Sequence, residues 1–323
     1  EFTAEWYKNK SEDLLYSVPV PAQTGVSNTS VTMNAASMEN SGFEFSATYR
    51  NRDHALKYDI SANVSTLKNK VTSLGIGKDS YIAGAYATYV GQEIGKFYGW
   101  VYKGIARTQE DLDNNAVQQG ANIGDCLYED ISGPNGEPDG VIDAYDQTVL
   151  GSGLPKVNFG LSTHLEYKGF DLNISTYGVL NYHVSDDIYN SLNSCYGYGN
   201  KEVGMLDANR WSEDGSTYLS SVPRTYAANN ATLAWNDLFS SRKIQNAAYW
   251  KIANVELGYN FPDKWFGGYV NGVRLYVSAQ NLYTFTGYHG YNVDYAGGTF
   301  TPGYNFCSFP SARTFMCGLH FTF

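Results

Sequence analysis

Residues 135–146 read Asn-Gly-Glu-Pro-Asp-Gly-Val-Ile-Asp-Ala-Tyr-Asp, the spacing of a twelve-residue calcium loop. Side-chain oxygens fall at Asn135, Glu137, Asp139, Asp143 and Asp146, the Val141 carbonyl takes the seventh place, and Gly140 sits at the sharp turn. A hard cation needs this many oxygens, and four of the five side-chain positions are carboxylates. Two departures weaken the match. Asn135 stands where an Asp is usual, and Asp146 reaches less far than the Glu that binds bidentately. A solvated acidic loop is the competing reading. A cation here would pin a long loop rather than catalyse.

Catalytic constellations are missing. The histidines (His54, His164, His183, His289, His320) show no HExxH spacing, and neither GxSxG nor a P-loop occurs. Among 32 acidic residues two carboxylates can always be found for a glycosidase, so acid pairs alone prove nothing. An enzyme is not expected. Cys126, Cys195, Cys307 and Cys317 have no metal-site spacing. A net charge of -10 leaves no basic stripe to neutralise phosphates, which argues against nucleic acid. The aromatics Tyr196, Tyr198, Trp211, Trp235, Tyr288, Tyr291, Tyr295 and Tyr304 fall between periodic segments. Sugar rings stack on such faces through their CH groups, so these are candidate substrate contacts. Packing within ordered loops is the competing account.

The elements that would position these residues are strands. In residues 314–323, Phe315, Cys317, Leu319, Phe321 and Phe323 fall on one face, and Thr314, Met316, Gly318, His320 and Thr322 on the other. The same alternation recurs at 43–50, 56–66, 157–167, 170–177, 254–261 and 273–280, with an opening run at 2–16. Charges sit on the polar face. Each run is close to the ~9–11 residues that a tilted strand needs to cross a bilayer. Tyrosine is abundant (28 of 323 residues), as suits interfacial girdles where an apolar ring meets a polar tip. No run of 18 apolar residues marks a membrane helix.

Connections alternate as well. Short links at 51–55, 167–169 and 262–271 separate hairpin partners, whereas long segments lie at about 67–155, 178–246 and 285–310. Short periplasmic turns and long extracellular loops are the topology of outer-membrane barrels. The expected fold class is all-β, a transmembrane antiparallel β-barrel of about eight strands in this chain. Eight strands could close a small barrel, but the loops outweigh the strands and the polar face lacks bulky apolar filler. The chain therefore reads as the C-terminal portion, 1–323, of a larger barrel. A calcium-stabilised all-β adhesin or carbohydrate-binding protein without transport activity is the alternative.

Several stretches carry a family resemblance. They are AEWYKNKSEDLLYSVPVPAQTG at 4–25, ENSGFEFSATYR at 39–50, GQEIGKFYGWVYKGI at 91–105, PDGVIDAYDQTVLGSGLPKVNFGLS at 138–162, YKGFDLNISTYG at 167–178, YWKIANVELGYNFP at 249–262 and VRLYVSAQNLYTFTGY at 273–288. In this order they resemble the C-terminal third of a SusC-like TonB-dependent transporter of Bacteroidetes outer membranes. The resemblance implies a plugged barrel of 22 strands, uptake of oligosaccharides or peptides, and a SusD-like surface lipoprotein as partner. It also implies coupling to TonB-ExbB-ExbD through an N-terminal region with the plug, outside this chain. A terminal aromatic such as Phe323 would be part of the outer-membrane assembly signal. SusC-like chains carry a compact Asp-x-Asn-Gly-Asp-Gly-x-Ile-Asp loop near 130–146, so the resemblance offers Asp130 as an alternative first ligand for Ca2+ within the long loop 67–155.

Overall fold

The structure, a computed structural model, describes residues 1–19, 30–75, 79–194, 200–203, 211–212, 222–225, 235–266, 270, 272–294, 297–306 and 308–322, and leaves aside the side chains of 16–19, 30–33, 35 and 263. Its framework is an antiparallel sheet whose strands follow chain order: β1 (Phe2–Pro19), β2 (Ser30–Asn51), β3 (Leu56–Thr66), β4 (Val157–Tyr167), β5 (Phe170–Leu180), β6 (Tyr249–Phe261), β7 (Gly272–Thr286) and β8 (Thr314–Thr322). A ninth strand, Lys68–Leu74, prolongs β3 and pairs with the first half of β2. The order is linear, so β1 and β8 are each paired on one side only among the described residues. The sheet is open.

Every expected strand is present, several of them longer than alternation alone marked. β2 reaches back to Ser30 although its first half, rich in Ser, Asn and Ala, shows no clean period. Pairing with β1 and with Lys68–Leu74 holds it extended. The β4–β5 hairpin closes through Lys168 and Gly169, both with positive φ (49° and 88°). That is the two-residue turn whose twist matches right-handed strands, and glycine takes its second place without steric cost.

The register confirms the two faces. On one, Leu161 pairs with Ala62 and Thr176, Leu257 with Leu172 and Val277, and Leu275 with Leu319. On the other, His164 pairs with Asp59 and Asn173, and Arg274 with Asn260 and His320. A shift at Ala253 breaks strict alternation: it turns Trp250 to the apolar face and Lys251 to the polar one.

Burial is inverted relative to a water-soluble sandwich. Phe43, Phe45, Leu161, Phe170, Leu257, Phe285, Phe315 and Leu319 are large apolar side chains exposed on the strands. Three compact hydrophobic clusters lie mainly in the connecting segments, one of them Val71, Leu74 and Ile94 with Ala36 of β2. A second gathers Val179, Tyr182, Val184, Ala247, Tyr249, Tyr288 and Val293, and the third Cys126, Tyr128 and Ile142. Only an apolar solvent makes such a band favourable, since a contiguous exposed patch of this extent is not sustained in water. Among the described residues no helix is long and apolar enough to cross a membrane.

Candidate functional site

All three long connections emerge from one end of the sheet and fold against one another. Residues 67–156 form a four-stranded sheet (Thr148–Ser152, Lys96–Gly99, Tyr86–Tyr89, Ser80–Ala83) and a two-stranded ribbon, Tyr102–Ile105 with Cys126–Tyr128. The second connection is fastened to this ribbon. Buried Asp125 accepts from Arg224 Nε at 2.7 Å and Nη2 at 2.8 Å, and from Asn236 Nδ2 at 2.8 Å. Asn236 Oδ1 in turn accepts from the Cys126 amide at 2.6 Å. A two-pronged guanidinium–carboxylate pair of this kind combines strength with fixed orientation.

The third connection is tied in by a buried polar knot. Asp186 accepts from the Tyr288 hydroxyl and, at 3.1 Å, from Asn305 Nδ2, while its other oxygen accepts from the Tyr189 amide at 2.8 Å. Burial first, then the Asp186 carboxylate, pushes the Tyr288 phenol up, so it remains a donor. Ser185 and Asp186 also pair in parallel with Tyr304 and Asn305.

The acidic loop folds tightly around one of its own carboxylates. Asp146 is 0% exposed. Its Oδ1 accepts from the amides of Ile131 (2.8 Å) and Ser132 (3.2 Å), and its Oδ2 from Asp143 (2.8 Å). Asp143 caps the short turn Ala144–Asp146 by accepting from Tyr145 N, Asp139 accepts from Val141 N, and Asp130 Oδ2 from Gly140 N. Asp130 Oδ1 is buried without a hydrogen-bond partner. Asn135, Glu137, Asp139 and the Val141 residue are exposed on the loop surface. Among the described residues, no three His, Cys, Asp or Glu side chains converge as a metal site. The donor chemistry fits a cation at Asp130, whereas Asp146 is already engaged by three amides.

The candidate substrate aromatics separate. Trp211 is 8% exposed and Tyr288 6%, so packing takes their faces and leaves none open for a sugar ring. Trp235 leans on Tyr128 and donates its indole N–H to the Gln119 carbonyl at 3.1 Å. These three hold the loops together, which sequence could not distinguish from contact with ligand. Tyr291, 60% exposed, keeps an open face, and Tyr304 is half-buried between Tyr86 and Phe306. Tyr196, Tyr198, Tyr295 and Phe323 lie outside the described residues.

An apolar band over strands of bilayer length, a polar opposite face, short turns at one end and packed loops at the other define an outer-membrane β-barrel wall. No protein-family model matches the chain. Curated relatives do match it. It is 31% identical over 342 residues, 100% of its length, to TonB-dependent receptor P3 of Formosa agariphila, covering 32% of that protein. Identity is 28% over 335 residues to TonB-dependent receptor P26 of the same organism, covering 98% of the chain and 32% of the relative. It is 26% over 337 residues to TonB-dependent receptor SusC of Bacteroides thetaiotaomicron, covering 98% of the chain and 29% of the relative. The chain thus spans about a third of the length of these relatives. Among solved structures, the RagAB peptide transporter superposes over 100% of the chain and 33% of its own, with a TM-score of 0.78 at 22% identity, which establishes the shared fold.

By sequence and by fold, the chain is SusC-like: a stretch of TonB-dependent receptor barrel, resident in the bacterial outer membrane. The relatives are named as receptors and transporters, not as enzymes.

Proposed function

We propose that this chain forms part of the wall and external loops of a TonB-dependent importer that takes up oligosaccharides or peptides. One observation carries the reading: the two-faced, open sheet resembles TonB-dependent receptors along its entire length. The lipid-facing band seats the wall, and the loop assembly, held by Asp125–Arg224 and Asp186–Tyr288, forms the entrance. A SusD-like surface lipoprotein would cover that entrance, and TonB-ExbB-ExbD would drive transport through the plug of the complete receptor. These partners come from the likeness to SusC.

The loop at 130–146 is proposed to take a structural Ca2+, held by Asp130, Asn135, Glu137, Asp139, Asp143 and the Val141 carbonyl. The unpartnered, buried Asp130 Oδ1 supports this. Asp146 would remain the internal pin of the loop. The ion would supply only rigidity.

The importer reading is tested with cells carrying the complete receptor, fed labelled oligosaccharides or peptides in the presence and absence of TonB. Accumulation is expected only when both receptor and TonB are present. Equal uptake without TonB would make the protein a passive pore, and surface binding without accumulation would make it a receptor that does not transport.

A further inference from the structure

A cavity of about 290 Å3 opens where the ribbon of the first connection meets the second, lined by Tyr102, Tyr189, Asn190, Asn193, Arg242 and Lys243. Arg242 is the unusual member. Two other partly buried guanidiniums hold carboxylates: Arg224 holds Asp125, and Arg274 holds Asp171 and Glu256. Arg242 is half-buried and makes no hydrogen bond or ion pair among the described residues. In a chain with 32 acidic residues and 22 basic ones, a partner was available in composition, yet none of the described carboxylates is placed there. Partial desolvation of a charge without a partner costs free energy that an incoming anion would recover.

The frame around Arg242 is fixed. It lies in the turn Ser241–Lys243, whose Ser241 amide donates to the Trp100 carbonyl at 3.0 Å, while Ser241 Oγ accepts from the Tyr102 amide at 3.0 Å. Lys243 turns its ammonium to the Asp237 carbonyl. Across the cavity, a short helix, α1 (Asp187–Leu192), presents Tyr189 and Asn190. Tyr189 is held by ring stacking on His289, with centroids 5.7 Å apart at 15°. Asn190 donates to Ser185 Oγ, and Asn193 donates to the Tyr189 carbonyl and to Glu202. Glu202 does not line this cavity. It lines a neighbouring one of about 210 Å3 with Ile188, Leu192, His289 and the open ring of Tyr291, and Tyr189 borders both.

We propose that the Arg242 cavity is a binding subsite for the acidic substituent, carboxylate or sulfate, of an oligosaccharide. The guanidinium fork receives the anion's paired oxygens. The Tyr102 and Tyr189 rings take the apolar faces of the sugar, and the Asn190 and Asn193 side chains face its hydroxyls. Rings and amides without a deep apolar hole favour a sugar over a peptide side chain. The subsite rests on the importer reading above and narrows its substrate class to acidic glycans.

The test is calorimetric titration of the full-length receptor in detergent with four probes: hexagalacturonate, a sulfated carrageenan hexasaccharide, neutral xylohexaose and hexaglutamate. At least one acidic hexasaccharide should bind more tightly than xylohexaose. Arg242→Gln should weaken that acidic sugar about tenfold or more and flatten its salt dependence, with the neutral probe unchanged. Arg242→Lys, which keeps charge but not the fork, should recover part of the loss. Unchanged heat-modifiable mobility of both variants in electrophoresis establishes that the barrel is folded. The subsite is overturned if Arg242→Gln leaves the acidic sugar unaffected, if it weakens the neutral probe equally, or if hexaglutamate outbinds both acidic sugars. Binding of xylohexaose alone would remove the subsite and leave the importer reading standing. Binding of none of the four would remove both.

Discussion

Arg274 on β7 and Asp171 on β5 clasp each other across the strand between them, passing over Gly258 of β6. Arg274 Nε donates to Asp171 Oδ2 at 3.0 Å and its Nη2 to Asp171 Oδ1, while the same Nη2 reaches Glu256 Oε1 at 2.7 Å. Asn260 Nδ2 also donates to Asp171 at 2.9 Å. A Cβ on Gly258 would come within 2.5 Å of both Arg274 Nη2 and Asp171 Oδ2, so the missing side chain is what lets the pair meet. Three strands are locked on the polar face at the short-turn end.

Gly258→Ala should therefore open the clasp and act through the same contact as Asp171→Asn. Each change is expected to destabilise the inserted barrel by roughly 1–3 kcal/mol, below the ~3–5 for a fully buried pair because Arg274 is partly solvated. The double variant should be little worse than either single one. Urea unfolding midpoints in vesicles measure this, and additive losses would show that the two residues act independently.

The apolar and polar faces should respond oppositely to charge. Leu161→Arg or Leu257→Arg places a guanidinium against lipid, at about 2–4 kcal/mol near the midplane, and should impair membrane assembly. Ser162→Arg, at an exposed position of the polar face, should assemble normally. Ser278 shares that face but is 6% exposed with an unpartnered hydroxyl, so it is a poor site for a long cation and a poor control. Yield of heat-modifiable barrel in isolated outer membranes is the readout.

Asp146 and the exposed acids of its loop should separate by their calcium dependence. Asp146→Ala orphans three amides, at about 1–3 kcal/mol for each donor left unpaired in a buried place, and should loosen residues 130–146 with or without calcium. Asp139→Ala with Asp143→Ala should loosen the loop only where calcium had been holding it. Limited proteolysis with and without chelator distinguishes the two. A parent loop whose cleavage is indifferent to chelator would mean an acidic turn without metal.

His183 gives the loop assembly an acid-sensitive joint. Burial first, and the positive charge of Lys156 second, hold its pKa below the ordinary 6.5. The unfolded loop then takes up a proton that the folded one resists. Its contribution is present above about pH 6.5 and is lost as pH falls through that value toward the lower folded pKa. Protection of the amides of the strand His183–Asp186, exchange rates being divided by the intrinsic rate at each pH, should thus be weaker at pH 5.5 than at pH 7.5, and His183→Gln should remove that difference. Equal protection of the parent at both pH values would contradict the assignment.

The sheet was legible because a strand with lipid on one face and a polar lumen on the other writes a period of two into its residues, as in Phe315 to Phe321. Where the period breaks, reading failed. The irregularity at Ala253 reverses the faces of Trp250 and Lys251, and only pairing with Thr176 and Tyr283 reveals it. The loops were opaque for another reason. Their cohesion comes from partners far apart in sequence, such as Asp125 with Arg224 and Asp186 with Asn305, which no local pattern announces. The same blindness let Trp211 and Tyr288 stand as ligand contacts and passed over Arg242, whose only signal is a missing partner.

The two-faced barrel wall is most directly tested by spin labels in the full-length receptor reconstituted in bilayers, with native cysteines replaced. Single cysteines at Leu161, Leu257 and Leu319 are compared with Ser162, Ser175 and Asn254 by power-saturation electron paramagnetic resonance. Labels at the three leucines should be accessible to dissolved oxygen and shielded from a water-soluble nickel chelate, with the order reversed at the three polar positions. Similar chelate access at all six would contradict a lipid-facing band and, with it, the membrane barrel.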